Sequence, residues 1–181
     1  MRFLEQFFPN VRAVSVYDFP FEKYYEKGYR GLIFDIDNTL VFHGAPANAE
    51  AKALFKKLHA VGFSTMILSN NKERRVSDFA RPLKSEYIYK AGKPLKEGYL
   101  RAMEYMGTDA KNTIAIGDQI FTDIWGARLL GIFTVLVKPL NPREEIQIVL
   151  KRIPERFILR AYERDRRRKK ELRYASDHSK N

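Results

Sequence analysis

Four short apolar runs constrain the fold of this chain more than any other feature of its sequence. They occupy residues 32–34, 65–68, 113–116 and 134–137, and a weaker fifth run lies at 87–89. None of them alternates apolar with polar residues, as expected for strands that are covered on both faces. They recur every 21 to 33 residues, which leaves room for a helix in each interval. This spacing predicts an α/β fold with a mostly parallel central sheet and helices on both faces.

Helical patterns occupy the intervals between these runs. Apolar residues recur at helical spacing over 47–61 and 94–106, and a third pattern covers 121–130. A glycine follows directly on each pattern, which is typical of the residue just after a helix. The alternation of strand and helix therefore extends over most of the chain.

The end of the chain predicts a basic helix. Asn141 followed by Pro142 indicates a helix start, and Pro154 is expected to break or restart that helix. From residue 173 onward the chain is expected to be disordered. The arginines of this segment recur every four residues, which in a helix forms one basic stripe of Arg152, Arg156, Arg160, Arg164 and Arg168.

The positive charge of the chain is concentrated in this same segment. The whole sequence has 33 Lys and Arg against 22 Asp and Glu, a net charge of +11 at pH 7, and residues 151–181 contribute 12 basic and 5 acidic residues, a net charge of +7. Three interpretations stay open: a helix that docks on an anionic membrane, a helix that is solvated or packs on the protein, and a contact with nucleic acid. The lack of a recognisable nucleic-acid-binding motif disfavours the third.

Cysteine usage and hydropathy indicate the compartment. The sequence contains no cysteine, which removes disulfides and thiolate chemistry and favours a reducing environment. No stretch approaches the roughly 18 uncharged apolar residues that span a bilayer, and the N-terminus lacks the apolar run of a signal peptide. We therefore expect a soluble, cytoplasmic protein, attached peripherally to the inner membrane face if its basic helix binds lipid.

The strongest chemical signal lies where the apolar runs end. Asp35 and Asp37 follow the first run, and two carboxylates at the end of a buried strand are costly without a cation or hydrogen-bond donors. Asp118 follows the run at 113–116, and Asp123 comes on the first turn of the next predicted helix. Neighbouring parallel strands end within about 5 Å of each other, so Asp35, Asp37 and Asp118 are expected to converge. Ligands that are all oxygen favour Mg²⁺ over zinc.

Two further motifs supply groups that bind phosphate. Ser69 and Asn70 follow the second run, where a hydroxyl and backbone N–H groups entering a helix form a phosphate cradle. The same Ser-Asn-Asn triplet is also an ordinary helix cap. Lys93 precedes Pro94 just before a predicted helix, and Lys90 is the competing lysine.

Together these motifs resemble the haloacid dehalogenase (HAD) superfamily of phosphotransferases, which use an aspartate nucleophile. The four motifs appear in the order of that family. The motifs further resemble the YqeG-type branch of capless HAD phosphatases, to which phosphatidylglycerophosphate phosphatases are related. The matching residues are Asp35-x-Asp37-x-Thr39 for the first motif, Ser69 for the second, Lys93 for the third and Gly117-Asp118-x-x-x-Thr122-Asp123 for the fourth.

The resemblance implies a Rossmann-like HAD fold and a division of roles within the site. Asp35 would form an aspartyl-phosphate, and Asp37 would act as general acid and then general base. Mg²⁺ would bind the carboxylates of Asp35 and Asp118 and the backbone carbonyl of Asp37, and Asp123 would act through a bound water or orient Lys93. The phosphoryl group would be held by Ser69, the N–H of Asn70 and Lys93.

Motif spacing leaves no space for a cap domain. Asp37 and Ser69 are 32 positions apart, Ser69 and Lys93 are 24 apart, and one helix with its connections already occupies each interval. An uncapped site suits a phosphate on something large: a lipid headgroup, a protein, a nucleic-acid end, or a site that a partner subunit closes. The predicted organisation is an N-terminal packing segment (1–30), a phosphatase core (31–140), a basic helical segment (141–172) and a tail (173–181).

The leading hypothesis is a Mg²⁺-dependent phosphatase that acts on phosphatidylglycerophosphate at the membrane surface. A phosphatase for a nucleotide, sugar phosphate or phosphoprotein is an alternative within the same chemistry. A third hypothesis is a nucleic-acid- or ribosome-associated protein whose basic tail carries its main function. The sequence does not fix the substrate or the oligomeric state.

Overall fold

The structure, a computed structural model, describes residues 2–141 and 146–178, with side chains described for 4–141 and 154–172. The chain divides into two compact units, Pro9–Pro142 and Met1–Phe8 together with Arg143–Asn181. The first eight residues group with the C-terminal helix, whereas the rest of the 1–30 segment belongs to the unit that holds the sheet.

The larger unit is built on a six-stranded sheet in which all neighbouring strands are parallel, which confirms the α/β fold expected from the sequence. The first strand escapes the sequence pattern because it is a three-residue edge strand with an exposed arginine between two partly buried residues. The strands are β1 (Val11–Ala13), β2 (Gly31–Phe34), β3 (Ser64–Leu68), β4 (Glu86–Ile88), β5 (Thr113–Gly117) and β6 (Phe133–Val137), and they lie in the order β1-β6-β5-β2-β3-β4.

Helices connect the strands and form both outer layers of this unit. A 3₁₀ turn (Arg81–Leu83) and a π-helical turn (Ile120–Ile124) complete the regular structure. The helices of this unit are α2 (Phe21–Glu26), α3 (Ala49–Val61), α4 (Glu73–Ala80), α5 (Lys96–Met106) and α6 (Trp125–Leu129). The smaller unit holds α1 (Arg2–Glu5) and α7 (Ile146–His178).

Helices α3 and α5 lie where the sequence predicts them and begin two residues later. Asn48 is the N-cap of α3, and its side chain accepts a hydrogen bond of 2.8 Å from the N–H of Ala51. Both helices end at the expected glycines, with left-handed backbone at Gly62 (φ 108°) and Gly107 (φ 63°).

Alternate residues of each strand enter different halves of the core. On β2, Leu32 and Phe34 pack in a cluster with side chains of α3 and α4, and Ile33 packs in a second cluster with side chains of α5 and α6. The aromatic N-terminal segment belongs to the first cluster, where the ring of Phe21 lies 6.1 Å from that of Phe34. The two clusters cover both faces of the sheet, as a run without polar alternation requires.

Strand register brings the motif-bearing segments to one edge of the sheet. Phe34 at the end of β2 pairs with Ile67 of β3 on one side and with Ile116 of β5 on the other. The residues that follow these strands therefore leave the sheet side by side. This edge is where ligands bind in open parallel sheets.

The C-terminal helix differs from expectation in two ways. Pro154 lies inside α7 without ending it, since a proline removes one backbone hydrogen bond and the long segment after it can sustain the helix. The helix also continues to His178, past residue 173, where disorder was predicted. The predicted helix start after Asn141 falls on residues 142–145, which lie outside the described part of the chain.

Within the smaller unit, the ring of Phe8 meets that of Tyr162 edge-on, with the ring centres 5.5 Å apart.

Candidate active site

Three carboxylates converge at the carboxyl edge of the sheet. Asp35 follows β2, Asp118 follows β5, and Asp123 lies on the π-helical turn; each offers an oxygen within 4.8 Å of the others. Asp118 and Asp123 are buried, which makes their mutual repulsion costly without a compensating cation. The donor set is entirely carboxylate oxygen, so this cluster fits a hard divalent cation.

Lys93 inserts its ammonium between two of these carboxylates. Its Nζ lies 2.6 Å from Oδ1 of Asp35 and 2.7 Å from Oδ1 of Asp123, and only 4% of its side chain is exposed. Burial alone would lower the pKa of Lys93, but the two carboxylates raise it above its ordinary value, so the ammonium stays charged. The competing residue, Lys90, is exposed.

The environment of Asp35 makes its charge depend on these neighbours. Burial raises the pKa of Asp35 to about 6. The Lys93 ammonium lowers this pKa, and the Asp123 carboxylate raises it further. A nucleophilic carboxylate must be ionised, and burial opposes that state. Lys93 is therefore placed to keep Asp35 ionised, as the predicted role of this residue requires.

Asn70 fixes the backbone that carries Lys93. Its Oδ1 accepts a hydrogen bond of 2.8 Å from the Lys93 N–H, and its Nδ2 donates one of 3.1 Å to the Lys93 carbonyl. This reciprocal pair joins the end of β3 to the segment between β4 and α5. The sequence assigns the backbone N–H of Asn70 to phosphate binding; that role stays a prediction, and the structure adds a role for the side chain.

Ser69 is buried at the end of β3, between neighbouring strand segments. Its backbone N–H donates to the carbonyl of Ile88, and its carbonyl accepts from the N–H of Ala91. Its Oγ accepts a hydrogen bond of 3.3 Å from the Asn71 N–H. The hydroxyl proton of Ser69 is therefore available to donate to a phosphoryl oxygen, the role that the second motif predicts.

The π-helical turn returns Asp123 to the sheet edge. The sequence predicts an ordinary helix over 121–130, but the N–H groups of Asp123 and Ile124 both reach the carbonyl of Gln119, and the regular helix α6 starts only at Trp125. Oδ2 of Asp123 accepts a hydrogen bond of 3.0 Å from the Gln119 N–H, while Oδ1 holds Lys93. Widened turns of this kind often occur at functional sites.

Two neighbours support the position of Asp123. A Cβ on Gly117 would collide with the Cβ, Cγ and Oδ2 of Asp123, so only glycine leaves space for this carboxylate. The buried hydroxyl of Tyr99 lies 3.0 Å from the carbonyl oxygens of both Thr122 and Asp123. The sequence pattern assigns Tyr99 only to the apolar side of α5 and does not reveal this contact.

The carboxylate of Asp37 is not part of the cluster of Asp35, Asp118 and Asp123 and is held instead by three hydrogen-bond donors. Oδ1 accepts hydrogen bonds of 2.9 Å from the Gly44 N–H and from Nη2 of Arg75, and Oδ2 accepts one of 2.6 Å from Nδ2 of Asn71. Burial alone would raise the pKa of Asp37, but these donors together lower it. The metal role predicted for Asp37 concerns its backbone carbonyl and stays a prediction. His43, with its Nδ1 4.0 Å from Oδ1 of Asp37, is largely exposed.

The sequence interpretation missed Arg75 altogether. It is one of 33 basic residues and belongs to none of the four motifs, so no pattern distinguishes it. Asn71 stands in the Ser-Asn-Asn triplet but was interpreted only as part of a helix cap or phosphate cradle. The two threonines of the motifs make local hydrogen bonds. Oγ1 of Thr39 donates to Oδ1 of Asp118 at 3.5 Å, and Oγ1 of Thr122 donates to Oε1 of Gln119 at 3.4 Å.

No cap domain is inserted between the first and third motifs, all of whose residues the structure describes. One helix, α3, lies between β2 and β3, and the segment between Ser69 and Lys93 holds only α4, the 3₁₀ turn and β4. The spacing argument from the sequence agrees with this arrangement.

Comparison with known proteins gives the same family. The model of the haloacid dehalogenase-like hydrolases matches residues 42–131. The chain is 36% identical over 164 residues to "Probable phosphatase YqeG" of Bacillus subtilis, covering 89% of this chain and 95% of that protein. It is 28% identical over 159 residues to phosphatidylglycerophosphate phosphatase 1, chloroplastic/mitochondrial, of Arabidopsis thaliana, covering 78% of this chain and 43% of that protein.

Solved structures support the fold. The cobalt-bound deoxy-D-mannose-octulosonate 8-phosphate phosphatase of Haemophilus influenzae aligns with a TM-score of 0.50 at 14% identity, over 61% of this chain and 69% of that one. An uncharacterized protein of Listeria monocytogenes aligns with a TM-score of 0.51 at 17% identity, over 64% of this chain and 84% of that one. Sequence relatives, fold and site agree, and the chain belongs to the haloacid dehalogenase-like hydrolases as a phosphatase of that family.

Proposed function

We propose that this phosphatase hydrolyses the phosphomonoester of phosphatidylglycerophosphate at a membrane surface, with Asp35 as nucleophile and Mg²⁺ as cofactor. The observation that carries the chemistry is the convergence of Asp35, Asp118 and Asp123 at the sheet edge, where the Lys93 ammonium contacts Asp35 and Asp123. The lipid substrate is the finer part of the proposal and rests on separate observations.

The reaction proceeds in two displacements. A carboxylate oxygen of Asp35 attacks phosphorus, the bond from phosphorus to the leaving oxygen breaks, and Asp37 donates a proton to that oxygen. Because the donors around Asp37 lower its pKa, this first displacement proceeds from the minor, protonated form of that carboxyl. Water then attacks the aspartyl-phosphate, Asp37 takes a proton from the water, and inorganic phosphate leaves with Asp35 restored. Lys93 and the Ser69 hydroxyl hold phosphoryl oxygens throughout. Mg²⁺, held by Asp35, Asp118 and the Asp37 carbonyl, would supply positive charge against the phosphoryl oxygens.

Three observations support a lipid substrate. The relative from Arabidopsis thaliana is named for phosphatidylglycerophosphate, although this chain spans less than half of its length. The site edge carries no cap domain among the described residues, so a headgroup that remains attached to its membrane could reach it. The third observation is the composition of α7.

Helix α7 has the features of a surface that binds anionic lipid. Arg156, Arg160, Arg164 and Arg168 are all exposed, and the ring of Phe157 beside them is 65% exposed. The side chain of Arg152 lies outside the described part. A basic residue near an anionic bilayer contributes about 1 kcal/mol, and an adjacent apolar side chain adds burial. A groove of about 440 Å³ between α1 and α7 is lined by Leu4, Glu5, Phe8, Phe157, Ala161, Arg164, Asp165 and Arg168.

The described helices also limit the mode of attachment. None of them is both long enough and apolar enough to cross a bilayer. The attachment that we propose is therefore peripheral and electrostatic, and it should weaken as the salt concentration rises.

A phosphate-release panel tests the substrate. The purified protein is given phosphatidylglycerophosphate in vesicles, nucleotides, sugar phosphates and phosphopeptides, with Asp35→Asn as the inactive control. We expect the highest kcat/KM with the lipid. A higher kcat/KM for any of the water-soluble substrates would refute the lipid assignment and leave the phosphatase chemistry intact.

Sedimentation with anionic vesicles tests the membrane surface. The triple variant Arg160→Gln, Arg164→Gln, Arg168→Gln removes three arginines of the stripe, and Arg166→Gln, Lys169→Gln, Lys170→Gln removes the same charge from exposed positions on the other side of α7. At about 1 kcal/mol per residue, the first triple should weaken binding by about 100-fold, and the second by less. Equal losses would show that net charge alone matters, and preferential sedimentation with RNA would favour the nucleic-acid alternative.

A further inference from the structure

The connection between β3 and α4 carries two predicted site residues and holds two others in place. Ser69 presents its hydroxyl at the strand end, the Asn70 side chain holds the backbone of Lys93, and the Asn71 side chain holds Asp37. One turn into α4, Arg75 reaches the same carboxylate of Asp37. The position of the acid/base residue is therefore set by the same connection that sets the phosphate-binding residues.

Hydrogen bonds distinguish the two oxygens of Asp37. A carboxylate oxygen offers two lone pairs, and both of those on Oδ1 are used by the Gly44 N–H and by Nη2 of Arg75, each at 2.9 Å. Oδ2 receives one donor, Nδ2 of Asn71 at 2.6 Å, and keeps the other lone pair. Arg75 and Gly44 thus leave Oδ2 as the oxygen that can carry a proton for transfer.

The guanidinium of Arg75 is itself well placed for this task. It lies 5.3 Å from the centre of the Phe79 ring one turn later on α4, and its side chain is 22% exposed. Asp37 is the one carboxylate in salt-bridge contact with it among the described residues, and the buried Nε–H of Arg75 has no hydrogen-bond partner there. Because the Phe79 ring and helix α4 already hold the Arg75 side chain in place, its guanidinium loses little conformational freedom when it binds the Asp37 carboxylate.

We propose that Arg75 is a positioning residue, which holds Oδ1 of Asp37 so that Oδ2 exchanges the proton in both displacements. The proton moves from Oδ2 to the leaving oxygen as the bond to phosphorus breaks, and a proton of water returns to Oδ2 as the aspartyl-phosphate is hydrolysed. The inference rests on the proposed acid/base role of Asp37, and the experiment separates the two.

The test compares leaving groups. Values of kcat/KM are measured for a series of substituted phenyl phosphates and for glycerol phosphate, because kcat/KM reports the first displacement, in which the leaving oxygen is protonated. A poor leaving group such as an alkoxide must be protonated by the general acid as it departs, whereas p-nitrophenolate leaves without a proton. We expect Arg75→Met to reduce kcat/KM for glycerol phosphate by about 10- to 100-fold and for p-nitrophenyl phosphate by less than about threefold. Arg75→Lys, which keeps a cation at this position, should recover part of the loss.

Three controls give every outcome a meaning. Arg74→Met, on the same helix with a side chain 96% exposed, should leave the whole series unchanged. Asp37→Asn should show the same dependence on leaving group, and its failure to do so would refute the acid/base assignment itself. In the Asp37→Asn background, Arg75→Met should add nothing further. A uniform loss across the series, or a loss that adds to that of Asp37→Asn, would overturn the positioning role. Thermal unfolding of each variant identifies any that is destabilised, and Arg75→Lys then carries the comparison.

Discussion

Replacing Gly117 by alanine tests whether the space beside β5 is what places Asp123. Gly117 is not in the left-handed region, so alanine meets no backbone strain there. The new Cβ would instead collide with three atoms of the Asp123 side chain. Asp123 must then move, and its 2.7 Å contact with Lys93 and 3.0 Å contact with the Gln119 N–H are both at stake.

The size of the effect follows from these contacts. Overpacking of a core position costs about 1–3 kcal/mol, and removing one partner from a buried ion pair costs about 3–5 kcal/mol. Because Asp123 is displaced rather than removed and Lys93 keeps Asp35, we expect a loss of about 2–4 kcal/mol in the free energy of unfolding. For a chain of this size, that loss lowers Tm by about 5–15 °C. Misplacing Lys93 should reduce kcat by about 100-fold.

Thermal unfolding and turnover of an aryl phosphate provide the assay. The fluorescence of Trp125, the single tryptophan, reports on the end of the π-helical turn. Gly131→Ala is the matched control: its φ of 78° strains alanine by about 1–2 kcal/mol, but nothing lies within 4 Å of the added Cβ. The control should lose stability and keep activity. If Gly117→Ala kept both its Tm and its kcat, the packing of Asp123 against Gly117 would not be what positions Lys93.

Three further predictions concern the same site. Asp35→Asn should abolish turnover of a generic aryl phosphate, since the amide cannot form the aspartyl-phosphate; retained turnover would exclude Asp35 as nucleophile. EDTA should inhibit hydrolysis and added Mg²⁺ should restore it, as measured by phosphate release; hydrolysis insensitive to EDTA would contradict the cofactor assignment. Tyr99→Phe should destabilise the fold by about 1–3 kcal/mol, because it removes the donor to two buried carbonyl oxygens, and an unchanged Tm in thermal unfolding would show that these carbonyls have other donors.

The sequence predicts those parts of the molecule that depend on strong local patterns. The four apolar runs at 32–34, 65–68, 113–116 and 134–137 are strands because nearly all of their residues are buried, and parallel pairing then brings Asp35 and Asp118 to one edge. The weaker run at 87–89 contributes to the edge strand β4, where Tyr87 is exposed. The helix ends at Gly62 and Gly107 follow from the backbone freedom of glycine. In each of these features, the local preference and the tertiary environment agree.

The features that escape prediction depend on tertiary contacts. In the wide turn at Ile120–Ile124, Asp123 contacts Lys93 and packs against Gly117. Both residues lie elsewhere in the sequence, so no local pattern predicts this turn. Arg75 acquires its role only because α4 packs beside the loop that carries Asp37. Pro154 was expected to break the helix, but α7 continues through it. The loss of one backbone hydrogen bond at proline is small beside the stabilisation of the rest of this long helix.

The charges of the site explain why a cation belongs to it before any step of chemistry occurs. Asp35, Asp118 and Asp123 with the Lys93 ammonium leave two negative charges at the sheet edge when all three carboxylates are ionised. A phosphomonoester is itself largely dianionic at neutral pH, so this edge would repel its own substrate. A divalent cation on the carboxylates would cancel that charge while Lys93 keeps Asp35 ionised. If Asp35 is the nucleophile that we propose, the same charges make phosphate binding depend on the cation, so lowering the cation concentration should weaken substrate binding as well as turnover.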